Sequence, residues 1–369
     1  MIISFGTLLG FKSNVKSKLF SLSAHLQVGK VTLNQSFEET PLPKNTKFYA
    51  NYLKNPFIRH VQAVATKAGM LKSKEELAGI VVKGIGRDFD WGNFNQNLVE
   101  GKAISFNDSS YSNEIIISRN MANLLKIKNL DEVLVYFIQS PPRIRKLKIV
   151  GIYETGLEEF DKTIILGDIK LVQKMNDWND QTVGHYEVFL KDFEQLNPAF
   201  NSIFNEIDQD MQVVKITELF PQIFDWLKLL DTNILIVLVL VFVVTSFNMI
   251  SILLVMMMER TPMIGLLKAL GSDNFQIRKV FIFNGLWIIL RGILWGNLLG
   301  IGLCAIQYFF KIIPLNAENY YINYVPISWN WGIIILLNLG TILMVSLVIL
   351  LPTFVISNMK PVLAMKFKD

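Results

Sequence analysis

The spacing of hydrophobic positions divides the chain into two kinds of territory. From Ser23 to about Val214, apolar residues fall in short alternating or β-branched segments, the period-two pattern of strands bounded by polar turns. From Ile234 onward they fall in long runs, and about 20 apolar residues suffice to cross the hydrocarbon core of a bilayer. Three runs qualify: roughly Ile234–Met258, Phe281–Phe310 and Trp331–Ile356. The first holds only Thr245, Ser246, Asn248 and Ser251 as polar members; the second is rich in glycine and interrupted by Asn284, Arg291, Asn297 and Gln307.

In the first territory the pattern predicts strands in HLQVGKVTL, VQAVATKA, GIVVKGI, EIIIS, EVLVYFI, RKLKIVGIYE, TIILG, YEVFL and MQVVKI. Helices are expected near Arg119–Leu125, Asp168–Trp178 and Asp192–Asp208, giving a mixed α+β domain in two subdomains over residues 25–215. Within YFIQSPPRIRKLKIVG (Tyr136–Gly151), Pro141 and Pro142 break two strand-like runs, so a hairpin with a tip unable to donate ladder bonds is expected. Arg143, Arg145, Lys146 and Lys148 make it basic. Those charges suit either edge protection or docking of an acidic partner. Residues 216–232 are amphipathic and read as a stalk helix leading into the first apolar run, with Gly10–His25 as its companion.

Composition adds that this is a membrane protein. The 369 residues are 51% hydrophobic and 18% charged, with mean hydropathy +0.36, too apolar for an ordinary soluble chain. The net charge of +5 matters less than its placement. Arg260, Lys268, Arg278 and Lys279 lie between the first two runs, and Lys360, Lys366 and Lys368 follow the third. The connection between the second and third runs carries Lys311 with Tyr320, Tyr321, Tyr324 and Trp329, an aromatic belt. By the positive-inside rule the first of these connections and the C-terminus are cytoplasmic, and the large domain lies outside. MIISFGTLLGF is too short to span, and reads as the outer half of a first transmembrane helix (residues 1–24) whose beginning is missing from the chain, the alternative being an amphipathic N-terminal anchor with three spans. Arg291 is expected to snorkel from the cytoplasmic part of a helix about 55 Å long.

The chemistry of a site is sparse. Cys304 is the single cysteine, and His25, His60 and His185 are far apart in sequence, so no metal site is expected. No phosphate-binding loop, nucleophile elbow or zinc helix motif is present, and nothing points to nucleic acid. The carboxylates of EEFDK (Glu158–Lys162) read as a solvated turn.

The excursion MMMERTPMIGLLKALG is more specific. Thr261 suits an N-cap and Pro262 the first helical position. Met263, Leu266, Leu267 and Leu270 follow one helical face, with Gly265 and Ala269 opposite. Gly271 fits the position after the C-cap, and Asp273 with Gln276 forms a capping box for the next helix. A rigid helix at 261–270 is therefore expected, serving either as an interfacial turn or as a ridge for a cytosolic partner.

FNMISILLVMMMERTPMIGLLKALGSDNFQIRKVFIFNGLWIILRGILWGNLLG resembles the FtsX-like permease domain of ABC transporters, most closely the lipoprotein-releasing permeases of the LolC/LolE type. Phe247–Asn248, Glu259, Arg260, Ile264, Leu266–Gly271, Ile277 and the Gly296, Gly300 and Gly302 series carry the likeness, with LPTFVISNMKPVLAMK as the closing pattern. SLSAHLQV, GIVVKGI and IISRNMANLLKI add a looser likeness in the outer domain.

That resemblance implies an α-helical bundle of four spans, the first truncated here, with a large extracytoplasmic α+β domain, in the bacterial inner membrane with that domain in the periplasm. It implies a permease domain at 233–369, a separate ABC ATPase that binds ATP in place of any cofactor here, a second permease subunit as homo- or heterodimer, lipoprotein substrates and a periplasmic lipoprotein carrier. Glu259, Arg260, Pro262, Gly265, Leu267, Lys268, Ala269 and Gly271 then belong to the coupling helix to that ATPase. Pro141, Pro142, Arg143 and Arg145 correspond to a carrier-capturing hook shorter than the family's. Substrate entry is placed near Phe5, Leu9, Asn248 and Ile252. An FtsX-like regulator, a MacB-like pump and, from another class, a membrane-anchored sensor are the alternatives.

Overall fold

Among the described residues, twelve strands and their short helices account for the alternating territory. The computed structural model describes residues 1–32, 39–73, 76–107, 110–316, 320 and 322–357. The tail lysines 360, 366 and 368, Tyr321 and most of the closing pattern lie outside the described residues. Two units are distinguished: residues 14–224 with 316–323, and residues 1–13 with 225–315 and 324–369.

The first unit is built on a ten-stranded mixed sheet. Its strands are β1 (Leu26–Lys30), β3 (Ile58–Lys72), β4 (Leu77–Ile85), β5 (Leu98–Gly101), β6 (Glu114–Ser118), β7 (Glu132–Phe137), β8 (Arg143–Tyr153), β9 (Ile164–Asp168), β11 (His185–Leu190) and β12 (Met211–Lys215). The order is β12-β1-β11-β3-β4-β9-β6-β8-β5, with β7 pairing both β3 and β8. A separate two-stranded ribbon joins β2 (Leu42–Pro43) to β10 (Thr182–Val183).

All nine expected strands are present, and β6 has the expected limits. The β4–β9 and β6–β8 pairs are parallel, which suits the nearly continuous apolar runs of β4 and β6, since parallel strands are buried on both faces. The sheet is continuous but carries two cores. One gathers Ile115, Val135 and Leu171 around Val82; the other gathers Leu26, Tyr186 and Ala199 around Val61. Ile169 packs against both.

Glu158–Asp161 corrects one expectation. It is a single helical turn with Asp161 buried, and the carboxylate accepts from Thr155 Oγ1 at 2.7 Å and from the Gly156 amide at 2.8 Å. Burial, offset by these bonds, pushes the Asp161 carboxyl above its ordinary value. It closes a loop.

In the second unit, Pro221–Glu259, Asn274–Phe310 and Trp331–Ile349 are long and apolar enough to cross a membrane. The stalk reading needs amendment at its start. Ile216–Leu219 is a separate turn, and the long helix begins at Pro221 and runs unbroken to Glu259, because a proline fits the first helical turn but lacks the amide to continue the turn before it. An N-terminal helix, Ile2–Leu22, meets the long one through Phe11 edge-on to Trp226 at 5.1 Å and Lys12 to Asp231 at 2.7 Å. A Cβ on its Gly10 would meet the Pro326 carbonyl oxygen at 2.6 Å, and the Gly6 carbonyl accepts from the Ser328 amide at 3.0 Å. Small residues four apart allow this close backbone approach.

Candidate functional site

The short helix forms at Thr261–Ala269. Its termination is the one the sequence predicts. Gly271 has φ of +92°, and its amide donates to Lys268 while the Ser272 amide donates to Leu267, at 3.1 and 2.9 Å. These two bonds are the Schellman pair, which satisfies carbonyls left open by the end of a helix. Asp273 and Gln276 complete the capping box of the following helix.

Its beginning differs. Arg260 is the capping residue, with no side-chain cap bond, and Thr261 is already helical, its hydroxyl donating to the Met257 carbonyl at 3.1 Å. Pro262 is therefore the second helical residue. The preceding long helix runs so close to the short one that no extended cap residue is needed between them.

Packing also sorts the faces. Ile264 is buried with Met257, Ile277 and Phe281, and Leu267 packs against the same cluster. Gly265 is buried as well. Pro262, Met263, Leu266, Ala269 and Leu270 are exposed, with Leu270 75% accessible. Gly265 and Leu267 thus serve the seat on the chain's own helices, and the free face is Met263, Leu266 and Leu270. A helix this short must bury one side against its neighbours to be stable, and Ile264, between the expected stripes, decides which. Glu259 and Arg260 are exposed at the junction, with Lys268 half-buried.

A cavity of about 590 Å³ lies among the apolar helices. Asn248 and Ile252 line it together with Thr245, Asn297, Asn338 and Thr341. Asn297 and Asn338 donate to one another, each Nδ2 to the other's Oδ1 at 3.2 Å, while Thr341 donates to its own helix at Leu337. Asn248 is exposed. The walls are otherwise apolar, so the cavity suits a long hydrocarbon ligand with few polar contacts. Phe5 and Leu9 lie elsewhere, in a crevice of about 10 Å³ beside Cys304, Ile327 and Trp329, a space that a water barely fills. There the Gly6 carbonyl accepts from the Ser328 amide at 3.0 Å, which seats the N-terminal helix directly on that segment.

The hairpin exists as expected, β7 and β8 pairing from Glu132–Lys148 to Phe137–Arg143. Arg143 reaches Asp177 at 2.8 Å and the Lys174 carbonyl at 2.9 Å. Lys146 pairs with Glu132, and Arg145 donates to the Ile144 carbonyl. Two of its four cations are therefore paired within the unit.

A buried polar cluster escapes sequence reasoning altogether. Lys83 donates to Glu187 at 2.6 Å and to the Leu22 carbonyl at the end of the N-terminal helix. Gln62 donates to the other Glu187 oxygen at 2.7 Å. His185 Nδ1 meets Glu39 at 2.5 Å, and its Nε2 lies 4.0 Å from Glu187. Burial would raise the Glu187 carboxyl, but Lys83 and His185 bring it down to about 2. Burial would lower His185, but Glu39 and Glu187 hold it up at about 9. His25 is buried and accepts from the Leu190 amide at 2.8 Å, and burial, with Arg59 and Lys16, brings it down to about 4. His60 contacts the Asp88 carbonyl at 2.7 Å. His25 and His60 both pack against Phe189, whereas His185 belongs to the charged cluster.

The chain thus combines a sheet-rich domain with helices long and apolar enough to cross a membrane and a short capped helix between two of them. Residues 235–361 match the FtsX-like permease C-terminal family, and this part of the chain is an FtsX-like permease domain. The full chain is similar to the lipoprotein-releasing system transmembrane protein LolC of Neisseria meningitidis serogroup B, 21% identical over 390 residues, covering 100% of this chain and 91% of that one. It is also similar to the corresponding LolE of Haemophilus influenzae, 19% identical over 351 residues, covering 90% of this chain and 82% of that one. Among solved structures, the extracellular domain of the noncanonic ABC-type transporter YknZ from Gram-positive bacteria aligns at 16% identity over 52% of this chain and 99% of that one, with a TM-score of 0.35.

Proposed function

We propose that this chain is the transmembrane subunit of an ABC transporter that extracts lipoproteins from the bacterial inner membrane and passes them to a periplasmic carrier. The observation that carries the reading is the Thr261–Ala269 helix, capped by a Schellman pair, seated on Ile264 and presenting Met263, Leu266 and Leu270 outward. Three exposed apolar side chains at i, i+3 and i+7 form the ridge that a groove on another protein accepts. That protein is a separate ABC ATPase, which binds the ATP. The likeness to LolC and LolE supports lipoprotein as the cargo, and the apolar cavity beside Asn248 and Ile252 is suited to acyl chains. A second permease subunit completes the assembly. The hairpin's part in capturing a carrier rests on its tip and on Lys148, since Arg143 is held by Asp177.

The test is reconstitution of the full chain with its ATPase and second permease subunit. Replacing Leu266 and Leu270 with Asp leaves insertion intact and abolishes both substrate-stimulated ATP hydrolysis and lipoprotein release. Normal release by that double variant overturns the coupling role. Stimulation by an unrelated amphiphile, with no lipoprotein release by the parent complex, would instead favour a MacB-like efflux permease.

A further inference from the structure

Arg291 lies inside the second apolar helix, yet it faces away from the bundle. Trp287, Ile288, Leu294 and Trp295 around it are exposed as well, Trp287 at 58% and Trp295 at 62%. Its guanidinium lies over the Trp287 ring at 5.1 Å. Trp287 is one turn nearer the helix start, the direction in which helical side chains lean.

The depth of Arg291 follows from neighbouring contacts. Trp329 and Trp331 stack at 6.1 Å where the third helix begins, marking one membrane boundary. Asn338, seven residues along, is level with its partner Asn297, about 10 Å below that boundary at 1.5 Å per residue. The two helices run antiparallel, since a Gly285 Cβ would touch Ile349. Arg291, six residues before Asn297, is therefore about 20 Å from the aromatic boundary and about 10 Å short of the other. Trp287 is about 6 Å nearer still. The side chain thus points along the shortest way out of the hydrocarbon.

A guanidinium at this depth needs an anion, because an uncompensated charge in hydrocarbon costs about 3 kcal/mol or more. The three apolar runs contain no Asp or Glu, so these runs of a second copy provide none at this level. A phospholipid phosphate, drawn inward beside the helix, can provide one.

We infer that Arg291 and Trp287 form a binding site for the phosphate of an anionic phospholipid in the leaflet on the side of the Thr261–Ala269 helix. Arg291 holds the phosphate, the Trp287 ring supports the guanidinium by cation–π attraction, and Leu294 and Trp295 lie alongside the acyl chains. The site depends on the spanning helices alone and not on the transport reaction.

The experiment uses the purified full chain, stripped of lipid in mild detergent and titrated with dioleoylphosphatidylglycerol while native mass spectrometry counts bound lipids. Arg291→Met removes the charge and eases membrane insertion, so the variant folds; Arg291→Lys keeps the charge. The methionine variant loses one tightly held lipid, its apparent affinity at that site falling about fivefold, the effect of one cation at an anionic membrane. The lysine variant retains it, and Trp287→Leu falls between the two. Unchanged lipid binding by Arg291→Met overturns the inference. So does loss of a dimer without loss of lipid, which would assign the face to protein contact.

Discussion

Lys83 Nζ sits 2.6 Å from Glu187 Oε1, both side chains almost wholly buried on β4 and β11, the two strands that flank β3 in the sheet. The same ammonium holds the Leu22 carbonyl, so one cation joins the sheet to the open end of the N-terminal helix. A carbonyl end carries partial negative charge, which a cation complements.

Removing either partner leaves the other charged and buried. Lys83→Met or Glu187→Leu alone should destabilise the sheet unit by about 3–5 kcal/mol, whereas the double replacement should recover most of that loss. Hydrogen exchange on β3, β4 and β11 of the full chain measures both, and additive losses in the double variant would contradict the pairing.

The cluster also sets a pH dependence. Glu187 is depressed to about 2, so its contribution is present above its ordinary value of 4.5 and is lost as pH falls through about 2. His185 is raised to about 9, so its contribution is complete below 6.5 and is lost as pH rises through about 9. The sheet unit should be most resistant to denaturant between about pH 4.5 and 6.5. His185→Gln should flatten the alkaline decline, read as the denaturation midpoint against pH, and an unchanged slope would count against the Glu39 contact.

Gly271 isolates backbone strain. A Cβ there meets nothing within 4 Å, yet its φ is +92°. Gly271→Ala should cost about 1–2 kcal/mol through the left-handed conformation alone, and Gly271→Asn less. Proteolysis at the short helix reports the fraying, and equal susceptibility of the parent and both variants would refute the capping account.

Gly10 isolates close approach instead. Its Cβ would meet the Pro326 oxygen at 2.6 Å, so Gly10→Val should push the N-terminal helix off residues 326–328. The Lys12–Asp231 ion pair is exposed and worth little energy, but zero-length carbodiimide crosslinking reads its geometry. The yield should fall severalfold in the valine variant, and an undiminished yield would show that the contact tolerates a side chain.

The reciprocal Asn297–Asn338 amides should be modest contributors. Asn297→Leu should cost about 0.6–1.7 kcal/mol, the range for interhelical hydrogen bonds in membranes. The double leucine variant should be near neutral in resistance to detergent unfolding; a larger loss would mean that the pair does more than join two helices.

The apolar runs, nine of the twelve described strands and the helix boundaries at Gly271 and Asp273 were legible in the sequence, because each depends on neighbours within a few residues. Run length decides a span, alternation a strand, and Asp273, Gln276 and Gly271 a helix boundary. Long-range contacts decided the rest. Thr261 is not a cap because the helix before it continues almost without a break. Leu266 and Leu270, rather than Gly265 and Leu267, form the free face because Ile264 seats the helix on Met257, Ile277 and Phe281. Phe5 and Leu9 leave the cavity to Asn248 and Ile252 because the Gly10 approach to Pro326 and the Gly6–Ser328 bond seat the N-terminal helix on another segment. Lys83 finds Glu187 across 104 residues, and no local pattern records that pairing, since burying a charge is stable only where the fold brings its partner.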